Sequence, residues 1–302
     1  MSVFNYENKQ DSNYFEGWYL RLTDVNNNLN YAIIFALTKY KEDPHAFIQV
    51  LDNTKNKTYY YRFKDDNFKS SNNEIRINDN TISPNYLKLF TDDFDLEVTI
   101  DNHTFLQAKK NKKASAMGFL KNFPLPCFQD VIFLDAIFIG EAVIDGKIQQ
   151  INGKAYMEKT YGNKFPEKWI WVQSNHSLKK ASFTLALGII PVLFLKIKGF
   201  FCILNYDGIE YKFAIYNRAR IKVTKISINS ISVTIKKGKY RINLIVDSVN
   251  PLELLGPALN GEMNLKVLES VASKMTLKFY KGNHLILDDQ TGFVGFENMF
   301  FN

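Results

Sequence analysis

The chain has 302 residues, a formal charge of +7, 46% hydrophobic and 15% aromatic residues, so it can build one large or two ordinary cores. Its Lys and Arg are scattered, with short groups such as Lys109-Lys110 and Lys112-Lys113 in polar sequence. That excludes a nucleic-acid platform and leaves solubility first, with a loose peripheral membrane contact second. The two cysteines, Cys127 and Cys202, lie far apart in apolar company, which excludes a disulfide framework and a metal set and points to a reducing compartment.

The opening MSVFNYENKQD lacks a basic and then apolar leader pattern, so a cytoplasmic location is expected. Strand signals follow in order: NYAIIFALTKY, AFIQVLD, TYYYRF and DLEVTI, then IKVTKISI, SVTIKK, YRINLIVD, KMTLKFY and HLILDD. Turn pairs separate them at Asp145-Gly146, Asp207-Gly208 and Lys281-Gly282-Asn283. The most apolar run, residues 185–204, is interrupted by Pro191, Lys196 and Lys198, too broken for a spanning helix of about 20 apolar residues. Two successive buried strands fit it better. Residues 265–272 suit a short helix or a strand. The class is all-β.

The sequence also repeats itself. Tyr14-Phe15-Glu16-Gly17-Trp18-Tyr19 overlies Phe165-Pro166-Glu167-Lys168-Trp169-Ile170 at a shift of 151, with Glu7 on Glu158. GKAYMEK (153–159) resembles GFVGFEN (292–298), placing Gly153 on Gly292 and Glu158 on Glu297. GKAYME then ends a first unit, YGNK turns, and FPEKWIWVQSN opens a second, giving domains 1–158 and 159–302. Each half holds enough short antiparallel strands for a barrel able to enclose one small ligand.

Period-two alternation puts Trp169, Trp171, Gln173 and Asn175 on one strand face and Ile170, Val172 and Ser174 on the other. Two indoles and two amides suit a cavity wall that grips an aromatic ligand and fixes its polar end; equally, an indole such as Trp18 or Trp169 can plug a barrel base. Glu158 and Glu16 are candidate acids if an apolar setting raises their pKa; Glu158 can instead pair with Lys159 or an Arg. Glu167 sits in a Pro-containing turn and reads as solvated. His45, His103, His176 and His284 lack metal-ligand spacing, Ser174 lacks a hydrolase elbow, and no phosphate loop or dinucleotide fingerprint is present. Any chemistry is expected to need no cofactor and no metal.

These residues resemble the tocopherol cyclase family. Tyr14 to Tyr19, Gly153 to Lys159, Gly162, Phe165-Pro166, Trp169, Trp171, Gln173 and Asn175 follow its patterns F-E-G-W-Y and E-K-D-W-G-x-x-F-P-x-x-W-x-W-x-Q-x-N, and residues 251–297 look like the end of its bacterial members. The resemblance implies two tandem lipocalin-like antiparallel barrels. It also implies an isomerase-type ring closure, in which a prenyl double bond is protonated and a quinol oxygen captures the cation. Glu158, Glu16 and Tyr161 are the catalytic candidates on this reading, and Trp18, Trp169, Trp171, Gln173 and Asn175 the ligand-binding ones. Thr160 and Tyr161 stand where the pattern has Asp and Trp, and a Thr hydroxyl cannot protonate an alkene, so the acid falls to Glu158, Glu16, Asp130 or Asp135. A non-catalytic carrier or sensor of a hydrophobic molecule is the alternative. The ligand and oligomeric state are left open.

Overall fold

The computed structural model describes residues 4–7, 12–71, 73–107, 115–192 and 195–300. Lys109-Lys110 and Lys112-Lys113 lie outside them. The described residues form strands and four short 3₁₀ turns, with no α-helix among them, and no helix long and apolar enough to cross a membrane. Residues 265–272 are strand, as are both halves of the apolar 185–204 run.

Two compact units divide the chain, which passes from the first to the second after Phe165. Two short stretches go the other way: residues 254–266 belong to the first unit and 107–126 to the second.

In the first unit the strands are β1 (Phe15–Asp24), β2 (Leu29–Thr38), β3 (His45–Asp52), β4 (Lys57–Phe63), β5 (Phe68–Ser71), β6 (Glu74–Ile77), β7 (Asn80–Ser83), β8 (Tyr86–Phe90), β9 (Asp95–Thr104), β10 (Cys127–Ile144) and β11 (Lys147–Gly162). They form one curled sheet ordered β4-β3-β2-β1-β11-β10-β9-β8-β7-β6-β5. Every pair is antiparallel, as short hairpin links require. The Asp145-Gly146 link of β10 and β11 has left-handed backbone at both residues, the twist-matched hairpin turn. The concave face holds the core: Trp18, Leu20 and Leu22 of β1 with Ile33, Phe35, Ile48, Ala155 and Met157.

The second sheet, which also takes in strand residues of the 254–266 stretch, repeats the plan. Its strands are β12 (Lys168–Ser174), β13 (Ala181–Val192), β14 (Leu195–Tyr206), β15 (Ile209–Ala214), β16 (Arg220–Ser227), β17 (Ser230–Lys237), β18 (Tyr240–Asp247), β19 (Leu252–Pro257), β20 (Met263–Lys281) and β21 (His284–Asn298). The order is β15-β14-β13-β12-β21-β20-β18-β17-β16, with β19 beside β20. In each unit the opening strand therefore lies between its neighbour in sequence and the unit's last strand, β11 or β21.

The strand ladders correct the repeat by one residue. Trp18 faces Phe35 in the first unit and Ile170 faces Leu187 in the second, both members advanced by 152, not 151. Trp18 thus corresponds to Ile170, and Gly17, Tyr19 and Arg21 to Trp169, Trp171 and Gln173. A single-residue slip exchanges the two faces of a strand, and the cores settle which register is right: Ile170 and Val172, not the indoles, join the second core. The last strands keep the 139-residue spacing, since Tyr19 faces Glu158 and Trp171 faces Glu297.

Gly153 shows how tightly β1 and β11 meet. A Cβ there would stand 2.0 Å from the Thr23 carbonyl oxygen and 3.0 Å from Asp24 Cα, both backbone atoms that cannot swing aside. Gly153→Ala is expected to destabilise the protein by about 1–3 kcal/mol or more, read by chemical denaturation.

Candidate functional site

The strand β11 carries the motif residues, and alternation sorts them. Met157 points into the first core, and Lys159 and Tyr161 follow it; Tyr156, Glu158 and Thr160 take the opposite face. On β1, Glu16 and Trp18 are on the core side. The three catalytic candidates do not converge: Glu16 and Tyr161 share the inner face, opposite one another in register, while Glu158 lies on the outer one.

The inner group is a buried ionic cluster built around the stretch Phe4–Glu7. Lys159 Nζ is 3.3 Å from Glu16 Oε1 and 3.4 Å from Glu7 Oε1, and donates to the Asn5 carbonyl at 2.6 Å. Glu16 also accepts from Tyr14 Oη at 2.7 Å and from the Glu7 amide at 3.0 Å. The ammonium lies 4.9 Å from the Tyr161 ring centre, which stacks on Phe128, and 5.9 Å from Trp18. Trp18 Nε1 donates to the Phe4 carbonyl at 2.7 Å, so this indole holds the stretch in the core. Asp130, opposite Lys159 on β10, is buried here as well.

Burial raises the Glu16 carboxyl above its ordinary 4.5, against the lowering pull of Lys159, Tyr14 and the Glu7 amide. It pushes the Tyr14 and Tyr161 phenols well above 10, so both stay neutral. A carboxyl whose folded pKa is raised binds its proton more tightly in the native chain than in the unfolded one. Its contribution to stability is therefore present at low pH and lost as pH rises from 4.5 through the folded value. Denaturation curves across that window should fall with pH in the wild type and less steeply in Glu16→Gln.

On the other face of β11, Glu158 is 6% exposed. Its Oε2 accepts from Tyr156 Oη at 2.5 Å and its Oε1 from Gln129 Nε2 at 2.7 Å. Tyr156, two residues earlier, shares its face, and its ring meets that of Tyr19 edge-on at 6.5 Å. Thr160, in place of the pattern's Asp, follows on this face and sits between Gly17 and Gln129. Of the other candidates, Asp135 is ion-paired with Lys154 at 2.7 Å, and Glu167 with Lys196 on an exposed rim. Tyr156 was legible as the period-two neighbour of Glu158. Gln129 was not, because a register shift in β10 after Val131 sets which of its residues reach β11.

The second unit carries its own cluster on the corresponding face of β12. Trp169, Trp171, Gln173 and Asn175 are buried, yet only Ile170 and Val172 of this strand enter the core. Glu297 stands opposite Trp171 on β21, accepts the Trp169 indole N–H, and faces Glu269 on β20. This pair of carboxylates escaped the sequence reading because Glu269 and Glu297 are 28 residues apart and meet only through the β20–β21 ladder. Among the described residues no group of three or more His, Cys, Asp and Glu is placed to hold a metal.

The family model described as tocopherol cyclase-like matches residues 88–298, which include the β10–β12 region with Glu158 and the cluster of the second unit. The chain belongs to the tocopherol cyclase-like family. Solved structures share its fold over almost the whole chain. An AttH protein from Nitrosomonas europaea is 13% identical, with a TM-score of 0.60 over 98% of this chain and 95% of that one. Kievitone hydratase from Nectria haematococca is 14% identical, TM-score 0.56, over 94% and 88%. CghA, solved with Sch210972, is 8% identical, TM-score 0.61, over 95% and 88%. At these identities the likeness carries the fold alone. None of the curated proteins matches the chain.

Proposed function

We propose that this tocopherol cyclase-like protein binds a prenylated aromatic or polyene and cyclises or isomerises it by proton transfer from its own residues. Glu158 gives a proton to the less substituted carbon of a trisubstituted double bond and leaves a tertiary cation. For a quinol substrate, the phenol oxygen attacks the tertiary cationic carbon, closing the ring, and the phenol proton returns to Glu158. Gln129 holds Oε1, and Tyr156 Oη, bonded to Oε2, can pass the proton along. The ring faces of Tyr156 and Tyr19 stabilise the positive charge. The observation that supports this most is the enclosure of Glu158, on the family's motif strand, by a phenol and an amide; Glu16 already serves Lys159, Tyr14 and the Phe4–Glu7 stretch. The kievitone hydratase likeness extends only to the fold.

The Thr160 departure favours a second reading, a carrier that holds the same class of ligand without turnover, with Trp171, Gln173 and Asn175 of the second unit as its binding face. Incubation with a prenylated hydroquinone separates the two. Ring closure followed by chromatography supports the enzyme, and saturable binding without product supports the carrier. Neither binding nor product would remove both.

A further inference from the structure

Residues 115–126 of the second unit fasten their backbone inward and turn phenyl rings outward. Lys212 Nζ donates to the Ser115 carbonyl and Tyr216 Oη to the Ala116 carbonyl, each at 2.7 Å. Gly118 lies on the Tyr216 ring with φ +59°; a Cβ there would come within 2.7 Å of that ring. A 3₁₀ turn over Gly118–Asn122 follows, closed by the Leu120 amide on Met117 and the Phe123 amide on Leu120. This leaves Phe119 56% and Phe123 53% exposed with ring centres 6.0 Å apart, and Ile215, beside Tyr216, also exposed. A loop tied down at its base has no need of two phenyl rings in water, where polar side chains are the norm.

The sequence of this loop and of the turn beneath it is mostly cationic, and the one acid beside it, Glu210, accepts from the Gln107 amide at 2.8 Å. Residues 107–126 contain Lys109, Lys110, Lys112, Lys113 and Lys121, and residues 211–220 contain Lys212, Arg218 and Arg220, without one Asp or Glu in either stretch. Paired phenyls on a fixed turn, flanked by cations, are the features of a segment that enters the boundary between headgroups and acyl chains of an anionic bilayer. We propose that this tip docks the protein on an anionic lipid surface, with Phe119 and Phe123 as the inserted wedge and Lys121 and Arg218 at the headgroups. The inference is independent of the catalytic reading, since it uses none of its residues.

Flotation of the full chain with vesicles tests it. Vesicles of equal parts phosphatidylglycerol and phosphatidylcholine should carry the protein upward; pure phosphatidylcholine should carry far less, and raised salt should release it. Phe119→Ser with Phe123→Ser should lower partitioning at least about tenfold without changing thermal unfolding, because both rings are exposed. Lys121→Glu with Arg218→Glu should weaken it on anionic vesicles only. Flotation that fails, or that persists unchanged in the phenylalanine variant, overturns the proposal. So does a loss of self-association in that variant without vesicles, which would make the tip a contact between copies of the chain.

Discussion

Glu158→Gln is expected to slow ring closure on a prenylated hydroquinone by about 10²–10⁴-fold, the usual contribution of a positioned acid. The substitution is nearly isosteric. Its amide can still accept from Tyr156 or Gln129, so fold and ligand affinity should stay close to wild type while the transferable proton is gone. Tyr156→Phe keeps the carboxyl but removes the hydroxyl on Oε2, and a smaller loss is expected. Glu16→Gln, on the other face of the sheet, should leave the rate within a few-fold and change stability instead. Binding and turnover are measured separately for each variant. Full activity in Glu158→Gln would dismiss Glu158 as the donor; binding without turnover in the wild type would leave the carrier reading.

Lys159→Met is expected to cost about 3–5 kcal/mol in denaturation at neutral pH. The ammonium is fully buried, as is the Glu16 carboxylate beside it; the Asn5 carbonyl and the partly exposed Glu7 complete its partners. Removing the cation leaves Glu16 with its desolvation unopposed, so the carboxyl must take up a proton. The loss should shrink at acid pH for that reason. In Lys159→Met with Glu16→Gln the Glu16 charge is no longer stranded, and part of the stability should return; a double-mutant cycle measures the coupling. An additive pair, with no recovery and no pH dependence, would show that Lys159 acts through its methylene packing alone.

Much of this fold was legible in the residues. Alternation on β12 correctly set Trp169, Trp171 and Gln173 against Ile170 and Val172, and the hairpin turns fell at Asp145-Gly146 and Asp207-Gly208. The repeat was visible but misregistered, since matching Trp18 to Trp169 rewards an identity. The structure matches Trp18 to Ile170, its counterpart in the core. Hydropathy gave no correction, because β1 and β12 are buried on both faces and so lack the polar alternation that marks register. The site was legible one strand at a time. Lys159 looked like a partner for Glu158, but adjacent strand residues point to opposite sides, and Lys159 serves Glu16. The Phe4–Glu7 stretch in the core and Gln129 beside Glu158 depend on contacts far apart in sequence, which no local pattern announces.

The stretch 254–266 bears on how the molecule is born. The Gly261 carbonyl accepts from the Thr38 hydroxyl at 2.6 Å, and Gln49 exchanges two hydrogen bonds with the Leu255 backbone. A nascent chain that has emerged from the ribosome only as far as Phe165 has all eleven strands of its first sheet yet must wait about a hundred residues more for these bonds, and distant closure of this kind is slow. Synthesis and maturation of the first unit are thereby tied to completion of most of the second.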